Sequence, residues 1–296
     1  MLTLARQKTL LLITFLFIPV VLLILFVIYP TFELLRISLT DWDGLSKTQT
    51  YVGLSNFVKV FTDSADIWLS LKNNLIYFVV HLIFIPIELI IAIVLDSKIR
   101  GSKFFKTMVF MPYIINGVAI SYIFAFFYSP MNGGLNGILE LLGLESWITG
   151  WLTNEHVVNY SLVVVSLWRF SGFHIILFLA GLQSIPRDQI EAAMIDGASV
   201  TQRFRYIMIP GVQRVLQILL FLNVNGALQV FDIPYIMTQG GPGHDSSTFT
   251  LYTLETAFKF NSFGMASTMG ITMLFFIIIL NWIQNRALRT KGVGEE

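Results

Sequence analysis

From Leu10 to Ile28 the chain runs for nineteen residues without a charged side chain. At about 1.5 Å of rise per residue, a helix of that length reaches across ~30 Å of hydrocarbon. Comparable apolar runs recur at about 73–95, 105–127, 158–181, 211–236 and 264–283. A bilayer admits only structures that satisfy every backbone hydrogen bond internally, which means helices or closed barrels. These runs are continuous, not alternating, so a barrel is excluded. The expected fold is an all-α polytopic membrane protein with six transmembrane helices. Composition agrees, with 55% hydrophobic and only 12% charged residues, where soluble domains carry roughly 25% charged. Arg6 and Lys8 ahead of the first run resemble the start of a signal peptide. The run is too long for one and no small-residue cleavage site follows, so it reads as a retained signal-anchor helix.

Basic residues set the orientation. With the N-terminus in the cytoplasm, thirteen of the nineteen Lys and Arg fall on cytoplasmic segments and five on external ones, with Arg169 inside the fourth span. The loop from Tyr128 to Val157 carries Glu140, Glu145 and Glu155 and no Lys or Arg. We therefore expect a multi-pass protein of the cell membrane with both termini cytoplasmic. The expected organisation is an N-terminal anchor helix and extracellular segment over 1–71, a transmembrane core over 72–285 and a cytoplasmic tail over 286–296.

Several chemistries lack their residues. With no cysteine there is no disulfide, thiol chemistry or thiolate-bound metal. The sequence has neither a P-loop nor a His-Glu-x-x-His motif, and its four histidines are scattered. No metal site, no nucleotide site and no catalytic residue are expected in this chain. No basic face points to nucleic acid.

The most informative stretch interrupts two apolar runs between Pro186 and Pro210. Pro186 suits a helix start, and Asp188 in the first turn complements the helix dipole. Gly197 is free to take φ > 0 and end that helix. Ser199 with Gln202 reads as a capping box opening a second short helix. Two short helices joined at a glycine corner are thus expected at the membrane surface.

Glu191-Ala192-Ala193, then Asp196-Gly197-Ala198, then Ile209-Pro210 resembles the signature loop of permease subunits of binding-protein-dependent ABC importers. That loop ordinarily ends in Leu-Pro. Ala180 to Pro186, Phe231-Asp232, Thr238 to Gly243 and Tyr51 to Phe57 resemble the carbohydrate-uptake branch, the first permease of maltose-type and glycerol-phosphate-type systems. The resemblance implies a type I importer core that moves a sugar or sugar-like solute. Its implied partners are a second, similar permease, two ATPase subunits that carry ATP and Mg, an extracellular solute-binding protein and membrane lipid. It assigns coupling to the ATPase to Glu191, Ala192, Ala193, Asp196 and Gly197.

The fifth span is the polar one, with Asn223, Asn225, Gln229 and Asp232 around Gly226. Helical spacing puts Asn225, Gln229 and Asp232 on one face. Two readings stand: the amides join helices, or they form a polar wall for a solute. On the second reading Phe170, Phe173, Asn223, Gly226, Gln229 and Val230 form a sugar site, with aromatic faces for the ring and amides for the hydroxyls. Gln239, Gly240, Gly241 and Pro242 make an exposed turn that suits contact with the binding protein. Glu88, Arg169 and Asp232 are ionisable residues within spans, and Arg169 is expected to pair with one of the two acids. They also leave an alternative: a stand-alone proton-coupled transporter in which Glu88 and Asp232 carry protons.

Overall fold

The computed structural model describes residues 4–62, 65–97 and 100–288. The expected cytoplasmic tail therefore lies largely outside the described residues, as do the basic residues Lys98, Arg289 and Lys291. The described residues are almost entirely helical, with one isolated antiparallel bridge between Thr40 and Tyr51. In chain order the helices are α1 (Leu4–Leu23), α2 (Tyr29–Ser38), α3 (Ser55–Thr62), α4 (Ala65–Asp96), α5 (Ser102–Ile114) and α6 (Gly117–Phe127). Then come α7 (Gly134–Leu141), α8 (Val158–Gln183), α9 (Arg187–Ile195), α10 (Val200–Arg203) and α11 (Ile209–Gly211). The last are α12 (Gln213–Leu228), α13 (Asp232–Thr238), α14 (Phe249–Phe258) and α15 (Phe263–Ala287). The boundary expected between residues 71 and 72 falls inside α4.

Among the described residues five helical stretches are long and apolar enough to cross a bilayer. The α5–α6 pair makes a sixth when counted as one span, bent by 97°. The expected straight span over 105–127 is thus two half-helices. Ile115 is extended, and the Asn116 side chain accepts from the Val118 N–H and caps α6. The cap supplies at the break what the interrupted helix ladder no longer does.

The chain divides into two compact units. One comprises residues 1–64 with 253–275. Its first span runs as helix from Leu11 to Ser38, ten residues beyond the apolar run, through a π-helical turn over Ile24–Ile28. No residue of its apolar window is buried within the chain. Asn56 donates to the carbonyls of Ser38 and Thr40, and Thr268 donates to that of Ser38, so the end of this helix is held by side chains.

The other unit comprises residues 65–252 with 276–296. Its axis is the parallel pair α4 and α8. Gly172 lets α5 reach α8, since a Cβ there would stand 1.9 Å from the Val109 carbonyl oxygen. Small residues at such crossings let helix backbones approach in lipid. Two apolar clusters form along the pair. Tyr77, Leu162, Val165 and Ile233 belong to one, and Ile85, Ile175, Phe178 and Leu219 to the other. Near the boundary of these clusters α4 carries His81 and α8 carries Ser166 and His174 among apolar neighbours, and a cavity opens there.

Candidate functional site

The cavity has a volume of about 500 Å³ and is walled by α4, α5, α8, α12 and the segment that follows α12. That segment is not the regular helix its sequence spacing predicts. α12 ends at Leu228, and α13 starts at Asp232 with Pro234 in its first turn. Despite the interruption, Asn225, Gln229 and Asp232 all line the cavity, as their expected shared face requires. Carbonyls freed by a break inside a membrane need partners from the protein. Asn74 donates to those of Ala227 and Leu228 at 2.6 and 3.2 Å, and Thr248 to that of Val230 at 2.7 Å.

Phe170, Phe173, Asn223, Gly226, Gln229 and Val230 all line this one cavity. Tyr113 stacks on Phe173 with centroids 4.6 Å apart, and Phe170 meets the same ring edge-on. Three aromatic faces thus bound one side. On the other, Asn223 donates weakly to the Phe78 carbonyl at 3.3 Å, and Asn225 to its own helix at the Phe221 carbonyl. Among the described residues the Gln229 side chain makes no hydrogen bond. Gly226 is exposed, and a Cβ there would meet nothing within 4 Å. Trp168 is not part of the wall and packs on Phe124.

Outside the fifth span, five lining residues escaped the sequence reading: Tyr77, His81, Tyr113, Ser166 and His174. His81 Nε2 lies 2.9 Å from Ser166 Oγ, and His174 Nδ1 lies 3.0 Å from Glu88 Oε2. Residues 81 and 88 lie two turns apart on α4, and 166 and 174 about two turns apart on α8, so parallel packing brings the pairs together. The available signal was polar residues inside apolar spans, which mark functional sites by default.

Arg169 pairs with Asp232, not Glu88. The pair passes over Gly117 at the α5–α6 break, where a Cβ would stand 2.4 Å from Asp232 Oδ2 and 2.5 Å from Arg169 Nη1. Glycine is required there by close approach.

The two loops lie at opposite ends of α8. Beyond its C-terminal end, Pro186 stands at the N-cap of α9. Gly197, at φ 79°, forms a Schellman-type stop in which Ala198 N–H donates to the Ala193 carbonyl and Gly197 N–H to that of Met194. Ser199 and Gln202 close a full capping box. Glu191, Ala192, Asp196 and Gly197 are exposed and Ala193 is half-buried. Ile195 and Val200 are 86% and 72% exposed in a loop outside the spans. A hollow of about 350 Å³ opens between Ala193, Gly197, Arg203 and Tyr206.

At the N-terminal end of α8, Asn159 and Asn73 donate to the Asp245 carbonyl and hold the loop after α13. In that loop Gln239 is exposed, Gly241 and Pro242 are half-buried, and Gly240 is buried against Ser247. The expectation of a freely exposed turn is corrected at Gly240, because Ser246 ties the loop to Gly241 and Thr238.

A family model described as binding-protein-dependent transport system inner membrane component matches residues 85–290. The probable ABC transporter permease protein YurN of Bacillus subtilis (strain 168) is 33% identical over 276 residues, 92% of this chain and 94% of that protein. The lactose transport system permease protein LacF of Rhizobium radiobacter is 32% identical, covering 92% of each chain. Among solved structures, a bacterial ABC transporter involved in the import of the acidic polysaccharide alginate aligns with a TM-score of 0.84 at 22% identity, over 96% of both chains. That last likeness is one of fold.

Proposed function

Because the chain belongs to the family of binding-protein-dependent transport system inner membrane components, we propose that it forms one half of the translocation path of an ATP-driven importer for a sugar or sugar-like solute. It is a transporter subunit, not an enzyme, and ATP hydrolysis resides on a separate chain. An extracellular binding protein delivers the solute. A second, similar permease completes the path, and two ATPase subunits with ATP and Mg drive it. Both termini face the cytoplasm.

The observation that carries this reading is the cavity, with stacked rings on one wall and amides on the other. Sugar rings pack on aromatic faces, and their hydroxyls bond to amides. Relatives of nearly full coverage include proteins named for lactose and for multiple-sugar transport. The α9–Gly197–α10 corner, with its exposed apolar side chains, serves as the coupling element. Closure of the ATPases moves it, and the path rocks between its two open states. Gln239, Gly241 and Pro242 lie at the other end of α8, where the binding protein docks.

The proton-coupled alternative is not favoured. The family works with a binding protein, and each of the two carboxylates it would use already has a partner in His174 or Arg169.

Gly226→Leu tests the cavity. The site has room for the side chain, and leucine favours helix over glycine by roughly 1 kcal/mol, so folding is not at risk. Uptake of labelled sugar is expected to fall while the assembled complex is recovered in normal amount. Unchanged uptake places the path elsewhere.

A further inference from the structure

Among the described residues the cavity wall carries one acidic side chain and no Lys or Arg. That side chain is Asp232, and Arg169 is engaged with it. The second acid at this level, Glu88, is buried behind His174. With His174 neutral, Glu88, Asp232 and Arg169 sum to one negative charge; with it protonated they sum to zero. Neither state offers an anion a counter-charge, and an unpaired anion taken out of water is strongly penalised.

The same groups define what the wall offers instead. A carboxylate bonded to one ring nitrogen of histidine sets the tautomer, because the proton stays on that nitrogen. Bonded to Glu88 as a carboxylate, His174 keeps a proton on Nδ1 and, as the neutral ring, has Nε2 left as an acceptor on a residue that lines the cavity. A hydroxyl donates to such an acceptor, whereas a carboxylate or phosphate does not. Asp232 accepts hydroxyl donors as well. Resting on the importer reading, we propose that this half of the path is selective for uncharged, hydroxyl-rich solutes over uronates and sugar phosphates, with His174 as a hydroxyl acceptor, Glu88 as its positioning residue and Asp232 as the group that masks Arg169.

The purified complex in nanodiscs, without its binding protein, is titrated by saturation-transfer NMR with matched disaccharide pairs. Each pair is a neutral sugar and its uronic acid, such as cellobiose and cellobiouronate. The neutral member is expected to bind at least about tenfold tighter, the scale of one unpaired buried group. Asp232→Asn, which uncovers Arg169, is expected to bring the uronate to parity; this gain cannot come from misfolding. His174→Phe is expected to weaken the neutral sugar about tenfold. His174→Gln, which keeps an acceptor, and Glu88→Gln, which still accepts from Nδ1, are expected to retain most of the affinity. Equal or tighter binding of uronates to the unaltered complex overturns the proposal. So does the absence of any saccharide binding, or dissociation constants that neither Asp232→Asn nor His174→Phe moves. Stimulation of ATP hydrolysis by the loaded binding protein is measured on the same sample. Its absence refutes the importer reading, while its presence alongside a preference for uronates refutes only the selectivity.

Discussion

Asn74 carries more than its size implies. Its Nδ2 serves two carbonyls at the end of α12, and its Oδ1 accepts from the Phe249 N–H at 2.8 Å. It is buried, so water cannot replace it. Asn74→Ala is expected to destabilise the protein by about 1–3 kcal/mol, the penalty for a buried polar group left unpaired. Asn74→Asp should be worse, because it sets a carboxylate against two carbonyl oxygens. The melting temperature of the detergent-purified protein measures both, and a value unchanged in Asn74→Ala refutes this role. In the sequence Asn74 is one of two adjacent asparagines at the edge of an apolar run. The end of α12 and the start of α14 together make it necessary.

Among the elements, the α9–α10 corner differs from every span: it can be altered without touching the transmembrane packing. Among the described residues, no atom outside Gly197 and its chain neighbours lies within 4 Å of a Cβ at Gly197. Its substitution therefore carries only the backbone strain of a side chain at φ > 0, roughly 1–2 kcal/mol. Gly197→Asp is expected to leave the protein inserted while abolishing uptake and releasing ATPase subunits from the membrane. Quantitative immunoblotting of membrane-bound ATPase alongside uptake checks this, and full uptake with normal retention shows that coupling runs elsewhere. Gly172 is the opposite case. There an added methyl meets the Val109 backbone, and overpacking of this kind costs about 1–3 kcal/mol. Gly172→Ala should lower the yield of folded protein, read by size-exclusion profile, without changing coupling in the fraction that folds. The corner was legible because caps and glycine stops are local. The α5–α6 bend was not, because its cause includes Gly117 making room for an ion pair from α8 and α13.

At the scale of the whole molecule, α8 places the loop that precedes it on one side and the α9–α10 corner on the other. On the excess of basic residues, the corner is expected in the cytoplasm. Since the chain has no native cysteine, single cysteines report cleanly. Ser199→Cys should react with an impermeant maleimide only from the cytoplasm, and Asn132→Cys only from outside. Both positions are exposed, and labelling of the two from the same side refutes the topology.

Local information in the sequence determined the spans, the sidedness expected of them, the capped corner and the family. Hydrophobic length, charge bias and capping residues act within a few turns of where they stand. The six residues from Phe170 to Val230 that were expected to meet do line one cavity, although other aromatic residues of the same spans, such as Trp168, face elsewhere. Tertiary structure alone decided the partner of Arg169 and the meeting of His81 with Ser166 and His174 with Glu88. Each of these depends on which turn of one helix lies level with which turn of another. That register is set by the packing of whole helices, with Gly172 and Gly117 at the points of closest approach, and no single stretch of sequence contains it.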